Sequence, residues 1–318
     1  MADVLSHTRF YDEQAAYDWV EAHLWPHGPQ CPRCGGLDRN TKLGGKSTRI
    51  GTYKCKDCRK PFTVKVGTVF EDSHIPMRLW LQAIALLAAS KKGISSNQLH
   101  RMLGITLKSA WFMSHRIREA MRVGGLMPPM GSGGVVEIDE TIYGRADTHP
   151  KGRGPFKGIT NSAHKNVILS LVQRGGEVRS YHVSGSTVSE VIPIVSENVS
   201  KEAAVMTDKA QLYRDQLRGF ASHDRVDHSK KEYVRYEEGR PAIHTNTVEG
   251  YFGVFKRGMR GTYQHCKEKH LHRYLAEFDF RYNNRSAHGI EDDIRAARIV
   301  AGVKGKRLTY KAADRSIY

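Results

Sequence analysis

Two sets of side chains in this 318-residue sequence have the types and spacing for chemistry. The first is Cys31-Pro-Arg-Cys34 and, after twenty intervening residues, Cys55-Lys-Asp-Cys58. Two such knuckles bring four thiolates to the corners of a tetrahedron about 2.3 Å from a zinc ion. A redox dithiol is the alternative for either pair alone; two pairs at this separation favour metal. Four thiolates leave no open coordination position, so this zinc is expected to be structural. The fifth cysteine, Cys266, stands alone in a basic region.

The second set is acidic. From His244 to Arg260 the chain reads as a helix with two stripes. Val248, Phe252, Phe255 and Met259 recur at the spacing of a core-facing side. Asn246, Glu249, Gly253, Lys256 and Arg260 form the neighbouring stripe, with a carboxylate two turns before an ammonium. Asn246 and Glu249 also fit an ordinary capping box. Two further acids stand at strand ends. Val135 to Glu140 alternates so that Glu137 and Asp139 share one face and Val136, Ile138 and Glu140 the other. Ala203 to Asp208 is a later strand ending in an acid. If Asp139, Asp208 and Glu249 converge, they can hold two Mg²⁺ or Mn²⁺ ions about 4 Å apart. Such a pair serves the attacking and departing oxygens of a phosphoryl displacement, with Lys256 neutralising the phosphate.

The elements that must position these groups follow from pattern. Residues 1–26 carry a short amphipathic helix, and 27–70 read as a zinc ribbon, with Tyr53, Phe62, Val64 and Val66 as apolar strand positions. Arg33, Lys54, Lys56, Arg59 and Lys60 are available there for phosphates. Residues 74–123 read as a buried helix from Pro76 to Lys92 followed by two helices around Leu103-Gly104-Ile105, the helix-turn-helix plan. Lys108, Ser109, His115, Arg116 and Arg118 are its candidate DNA contacts; the alternative is an αα-hairpin that merely packs. Glycine and proline mark 124–134 as a linker.

Residues 135–290 then give a strand, a basic insert from Arg145 to Lys165, and two strands joined at Gly175-Gly176. A helix from Ser189 to Val199, the Asp208 strand and a helix from Ala210 to Leu217 follow, and a further helix spans His270 to Arg285. A three-strand meander, a crossover helix and another strand describe a ribonuclease H-like α/β layer. Residues 291–318 are expected to be a basic tail rather than a folded unit. The fold class is thus multidomain α+β.

Composition limits the partners. The hydrophobic fraction is 39%, enough for a sizeable core, and the net charge of +17 with a pI near 9.7 favours nucleic acid. No apolar run of about 18 residues and no secretory layout occur, so a soluble intracellular protein without membrane partners is expected.

Taken together, these motifs resemble the IS1595-type insertion-sequence transposases, whose catalytic part is also called the ISXO2-like transposase domain. The strongest correspondence lies in Glu137-Ile-Asp139-Glu140, Thr207-Asp208, His244-Thr-Asn246-Thr-Val-Glu249, Lys256-Arg257-Gly258 and Glu277-Phe-Asp-Phe-Arg281-Tyr-Asn283. The resemblance runs from the first knuckle to about Arg285. It implies a DDE-type enzyme that cuts donor DNA by hydrolysis and joins 3′-hydroxyl ends to target DNA. Asp139 and Asp208 carry over as metal-binding aspartates. The third ligand is Asn or Glu in this family, and both Asn246 and Glu249 are present; charge compensation favours Glu249. Arg257 and Arg260, following the lysine, are further candidate DNA contacts. The implied partners are the element's terminal inverted repeats, target DNA and further copies of the chain on DNA, in the bacterial cytoplasm near the nucleoid. Two alternatives remain open here: a zinc-containing DNA-binding regulator without catalysis, and a related nuclease that hydrolyses without joining.

Overall fold

A computed structural model of the chain describes residues 6–125, 127–144, 146 and 165–309. Of the basic insert, only Ala146 and Lys165 are among them. The chain divides into two units, one formed by Met1–Val123 with Asn284–Tyr318, the other by Gly124–Asn283.

In the first unit, α1 (Glu13–Leu24) begins where the Asp12 carboxylate accepts the Ala15 amide at 2.7 Å, replacing a missing intrahelical bond. Three short antiparallel strands follow, β1 (Asn40–Lys42), β2 (Tyr53–Cys55) and β3 (Pro61–Phe62), in that order. So small a sheet cannot bury much area. Its apolar support is a cluster of Trp25, Tyr53 and Phe62, whose ring centroids lie 5.5 to 5.8 Å apart. The apolar helix α2 (Met77–Ala89) has Met77, Trp80, Leu81, Ile84 and Leu87 buried. After it, α3 (Ser96–Leu103) and α4 (Leu107–Met121) are joined through Gly104, whose left-handed φ of +64° ends α3.

The second unit holds a five-stranded sheet. Its strands are β4 (Val135–Tyr143), β5 (Asn166–Gln173) and β6 (Val178–Val183); α5 (Val188–Asn198) crosses to β7 (Ala204–Asp208), and β8 (Ser222–Val226) completes the sheet. The order is β6-β5-β4-β7-β8, antiparallel through the first three and parallel from β4 to β7 and β7 to β8. The helices α6 (Asn246–Gly258) and α7 (Leu271–Asn283) come last. Strand alternation divides the core in two. Val136, Ile138, Leu169 and Leu171 pack with Val191, Val195 and Val199 of α5 on one face. Ile168, Val172 and Val178 pack with Val248, Phe252 and Phe255 of α6 and with Leu271, Leu275 and Phe278 of α7 on the other.

Three expectations change. The helix expected from Ala210 to Leu217 is only a 3-10 turn at Gln211–Tyr213, and the chain then forms β8. Ser222–Val226 escaped notice because His223, Asp224 and Arg225 give an edge strand little apolar alternation. The glycine-rich stretch 124–134 is not wholly a linker. Met130 is buried and bridges Val199, its amide donating to Asn198 O at 2.8 Å. Finally, the 291–318 stretch contains α8 (Asp292–Ala301), with Ile299 and Val300 fully buried. Arg295 ties it to the first unit by donating to Ala88 O at 2.7 Å. A high count of charged residues concealed an amphipathic helix.

Candidate functional site

The parallel pairing of β4 with β7 sets Glu137 beside Met206. Two residues further along each strand, on the same face, stand Asp139 and Asp208. Both lie at the carboxyl ends of their pairing. Asp139 Oδ1 accepts the Glu140 amide at 2.8 Å, and Asp208 Oδ1 accepts the Ala210 amide at 2.9 Å, which orients each carboxylate at the strand edge. Burial first, and then the charges of Asp208, Glu140 and Glu249, raise the Asp139 carboxyl to about 8 against the opposing bond from the Glu140 amide. Acids 69 and 41 positions apart in the chain, at 139, 208 and 249, therefore act on one another. Such mutual repulsion in a poorly solvated place is relieved by protonation or by a cation.

Glu140 points to the opposite face. It accepts a hydrogen bond from the Tyr213 hydroxyl, and burial, opposed by that bond, raises it to about 7.

Glu249 is in the first turn of α6 and is exposed. Its Oε1 accepts from Thr245 Oγ1 at 3.1 Å and lies 3.4 Å from His228 Nε2. The anticipated capping box is not formed. Thr245 occupies the cap position without capping an amide through its side chain, and Asn246 is the exposed first residue of the helix. The amides of Thr247 and Val248 donate instead to Glu137 Oε2, at 2.7 and 3.0 Å. Along α6, Lys256 is half-buried, while Arg257 and Arg260 are exposed on the helix and the π turn that continues it.

In the first unit, Cys31 Sγ lies 3.7 Å from Cys58 Sγ and Cys34 Sγ lies 3.6 Å from Cys55 Sγ, with all four sulfurs within 4.8 Å of one another. Zinc–sulfur bonds of about 2.3 Å imply tetrahedral edges of about 3.8 Å, so the four thiols fit a zinc ion. Burial alone would raise the Cys31 thiol, but amide hydrogen bonds from Arg33 and Cys34 draw it down to about 7, toward the thiolate a metal needs. Among the described residues, these cysteines are the only group of three or more His, Cys, Asp or Glu side chains gathered closely enough to hold an ion as they stand. The charges of Asp208 and Glu249 bear on Asp139 without the three acids closing to that spacing.

The expected DNA contacts separate by burial. Lys108 is exposed at the start of α4, and Ser109 is half-buried, its amide bound to Thr106 Oγ1 at 3.1 Å. His115, Arg116 and Arg118 are buried and face the interior, which corrects their assignment as DNA contacts. Arg116 donates to Leu308 O, Val69 O and Glu71 O at 3.1, 2.9 and 2.7 Å, and Arg118 to Ser114 Oγ at 3.1 Å. Their guanidinium groups satisfy backbone carbonyls and a hydroxyl, a use that basic helical residues conceal in sequence. The ribbon cations Arg33, Lys54, Lys56, Arg59 and Lys60 are all exposed.

Reading by motif also missed Arg174, His228 and Tyr213, and noted Glu137 by its strand face and its place in the Glu137-Ile-Asp139-Glu140 motif without a role. The available signal was that face: an acid in the middle of a strand, pointing at a packed helix, requires donors.

Comparison with known proteins adds three findings. Residues 132–283 match the model of the ISXO2-like transposase domain, and residues 11–61 match the transposase zinc-ribbon domain. A protein described as an uncharacterized protein in transposable element ISH50, from Halobacterium salinarum (strain ATCC 700922 / JCM 11081 / NRC-1), is 25% identical over 292 residues, covering 86% of this chain and 91% of the relative. No described helix is long and apolar enough to cross a membrane.

Proposed function

Since this chain belongs to the IS1595 family of insertion-sequence transposases, we propose that it cuts and joins DNA by a DDE mechanism with Asp139, Asp208 and Glu249 as the acidic set. The observation that carries this reading is the placement of Asp139 and Asp208 on one face at the carboxyl ends of the paired parallel strands β4 and β7, where burial and the charges of Asp208, Glu140 and Glu249 raise the Asp139 carboxyl to about 8. A buried carboxyl held up by neighbouring acids, at the end of a strand, is the kind of group a functional site gathers. A divalent cation drawn between these acids would offset their repulsion. A bound pair of Mg²⁺ or Mn²⁺ ions supplies Lewis acidity toward the attacking and departing oxygens.

This chain's own groups do the rest. Asp139 and Asp208 present oxygens from adjacent parallel strands, and Glu249 approaches from α6. Glu249 rather than Asn246 is the third member, because its charge already acts on Asp139 and because Thr245 orients its carboxylate. Lys256, two turns along α6 from Glu249, meets the phosphate that the acids would otherwise repel. Lys108, Arg257, Arg260 and the exposed ribbon cations are suited to the DNA backbone.

The finer architecture is read in the same way. The meander β4-β5-β6, the α5 crossover and the parallel strand β7 support a ribonuclease H-like layer, and α3-Gly104-α4 supports a helix-turn-helix. We place the enzyme at the element's terminal repeats and target DNA, working as a homo-oligomer near the bacterial nucleoid.

Purified protein with Mg²⁺ or Mn²⁺ should nick and join DNA bearing the element's ends. Asp139→Ala and Asp208→Ala should each lower both steps by at least about a thousandfold while DNA binding persists. Strand transfer by either variant at the wild-type rate would remove this reading, and products that are cut but never joined would favour a nuclease.

A further inference from the structure

We propose that Glu137 is a positioning residue for this site: its buried carboxylate clamps the first turn of α6 to β4 and thereby sets the separation of Asp139 from Glu249. The inference rests on the catalytic reading of those two acids.

Glu137 is fully buried, and each of its oxygens is engaged. Oε2 accepts the Thr247 and Val248 amides at 2.7 and 3.0 Å. Oε1 accepts Thr247 Oγ1 at 2.7 Å and Arg174 Nε at 2.6 Å, with His244 Nδ1 at 3.1 Å. The first amides of a helix have no partners of their own, and its N-terminus carries partial positive charge. In α6 the Thr245 side chain answers none of them, and His244 Nδ1 takes only the Asn246 amide, at 3.3 Å. A carboxylate from the neighbouring strand answers the next two instead, from 110 residues away in the chain.

The consequence is geometric. Asp139 is two residues beyond Glu137 on the same strand face, and Glu249 directly follows Val248 in the helix. The link between the two acids is therefore one stretch of strand, one carboxylate and one turn of helix, all of which resist bending. Arg174 extends the clamp by donating to Ala242 O at 2.6 Å and His244 O at 2.9 Å, which fixes the segment leading into α6. A buried charge with these partners tolerates no slack, because each lost donor leaves it less compensated.

The test uses full-length, zinc-loaded protein with two readouts, amide hydrogen exchange at Thr247 and Val248 and the dissociation constant for Mn²⁺ alone. In Glu137→Gln, exchange at those two amides should speed up by at least about tenfold while Phe255 keeps its protection. The Mn²⁺ dissociation constant should rise on the order of ten- to a hundredfold, as with other groups that orient metal ligands. Thr247→Val removes one bond and no buried charge, so it decides the matter if the glutamine variant does not fold. It should give the same two changes at smaller size. Unchanged exchange and Mn²⁺ binding in the folded variants would overturn the proposal, as would faster exchange throughout the chain with Mn²⁺ binding intact. Wild-type protein that binds no Mn²⁺ would strike the two-ion reading, and the exchange rates would still decide whether Glu137 holds α6.

Discussion

Asp279 illustrates how a single buried acid becomes a pH sensor of stability. It accepts hydrogen bonds from Tyr251 Oη at 2.6 Å, Ser180 Oγ at 2.7 Å and the Ser180 amide at 2.8 Å. Burial nevertheless prevails over these bonds and pushes its carboxyl up to about 6. The folded state therefore holds the proton more tightly than the unfolded chain, where an aspartate titrates near 3.9. Its contribution is fully present below about pH 4 and is lost as pH rises to about 6, by on the order of 3 kcal/mol. Asp279→Asn has nothing to titrate. Urea unfolding at intervals from pH 4 to 7 should show wild-type stability falling relative to the variant up to about pH 6 and running parallel above it. A constant difference across that window would mean that Asp279 is ionised in the folded protein throughout. Its type was plain in the sequence, but nothing in the Glu277–Arg281 motif announced that Asp279 would sit beneath Tyr251 and Ser180.

Among elements, the segment leading into β4 shows how little space the sheet leaves for approach. Gly131 has φ of +80°, and a Cβ there would lie 2.2 Å from Val136 Cγ2 and 3.3 Å from Ala203 Cβ. Both are core atoms without a route of escape. Gly133 shares the left-handed backbone at +67° but has nothing within 4 Å. Gly131→Ala should accordingly destabilise the second unit by about 2–4 kcal/mol, combining backbone strain with overpacking. Gly133→Ala should cost only about 1–2 kcal/mol from the backbone alone. Denaturant midpoints of the two variants measure the difference, and equal losses would place the cost in the backbone rather than in the contact. The core stripes of α6 and α5 were legible from spacing, and β5 and β6 from being apolar runs on either side of Gly175-Gly176. The turn at Gln211–Tyr213 and the edge strand β8 were not, since polar edge residues carry no such period.

At the level of the whole molecule, the first unit is discontinuous: the chain leaves it after Val123 and returns at Asn284. The returning helix α8 buries Ile299 and Val300, and Val303 follows them into the interior. Ending the chain after Asn283 should therefore lower the unfolding midpoint of the first unit by several degrees while the second unit's transition stays in place. Calorimetry resolves this, and an unchanged profile would make α8 dispensable. Local order in the chain was enough to specify the four clustered cysteines, the helix carrying Glu249 and the strands bearing Asp139 and Asp208, because knuckle spacing and hydrophobic period are short-range properties. Three things depended on the folded chain: the burial of His115, Arg116 and Arg118, the return of α8, and the capping of α6 by Glu137. Each depends on packing between segments far apart in sequence, as in the bonds of Arg116 to Val69 and Leu308, and partners across such distances are chosen by packing, which no local pattern encodes.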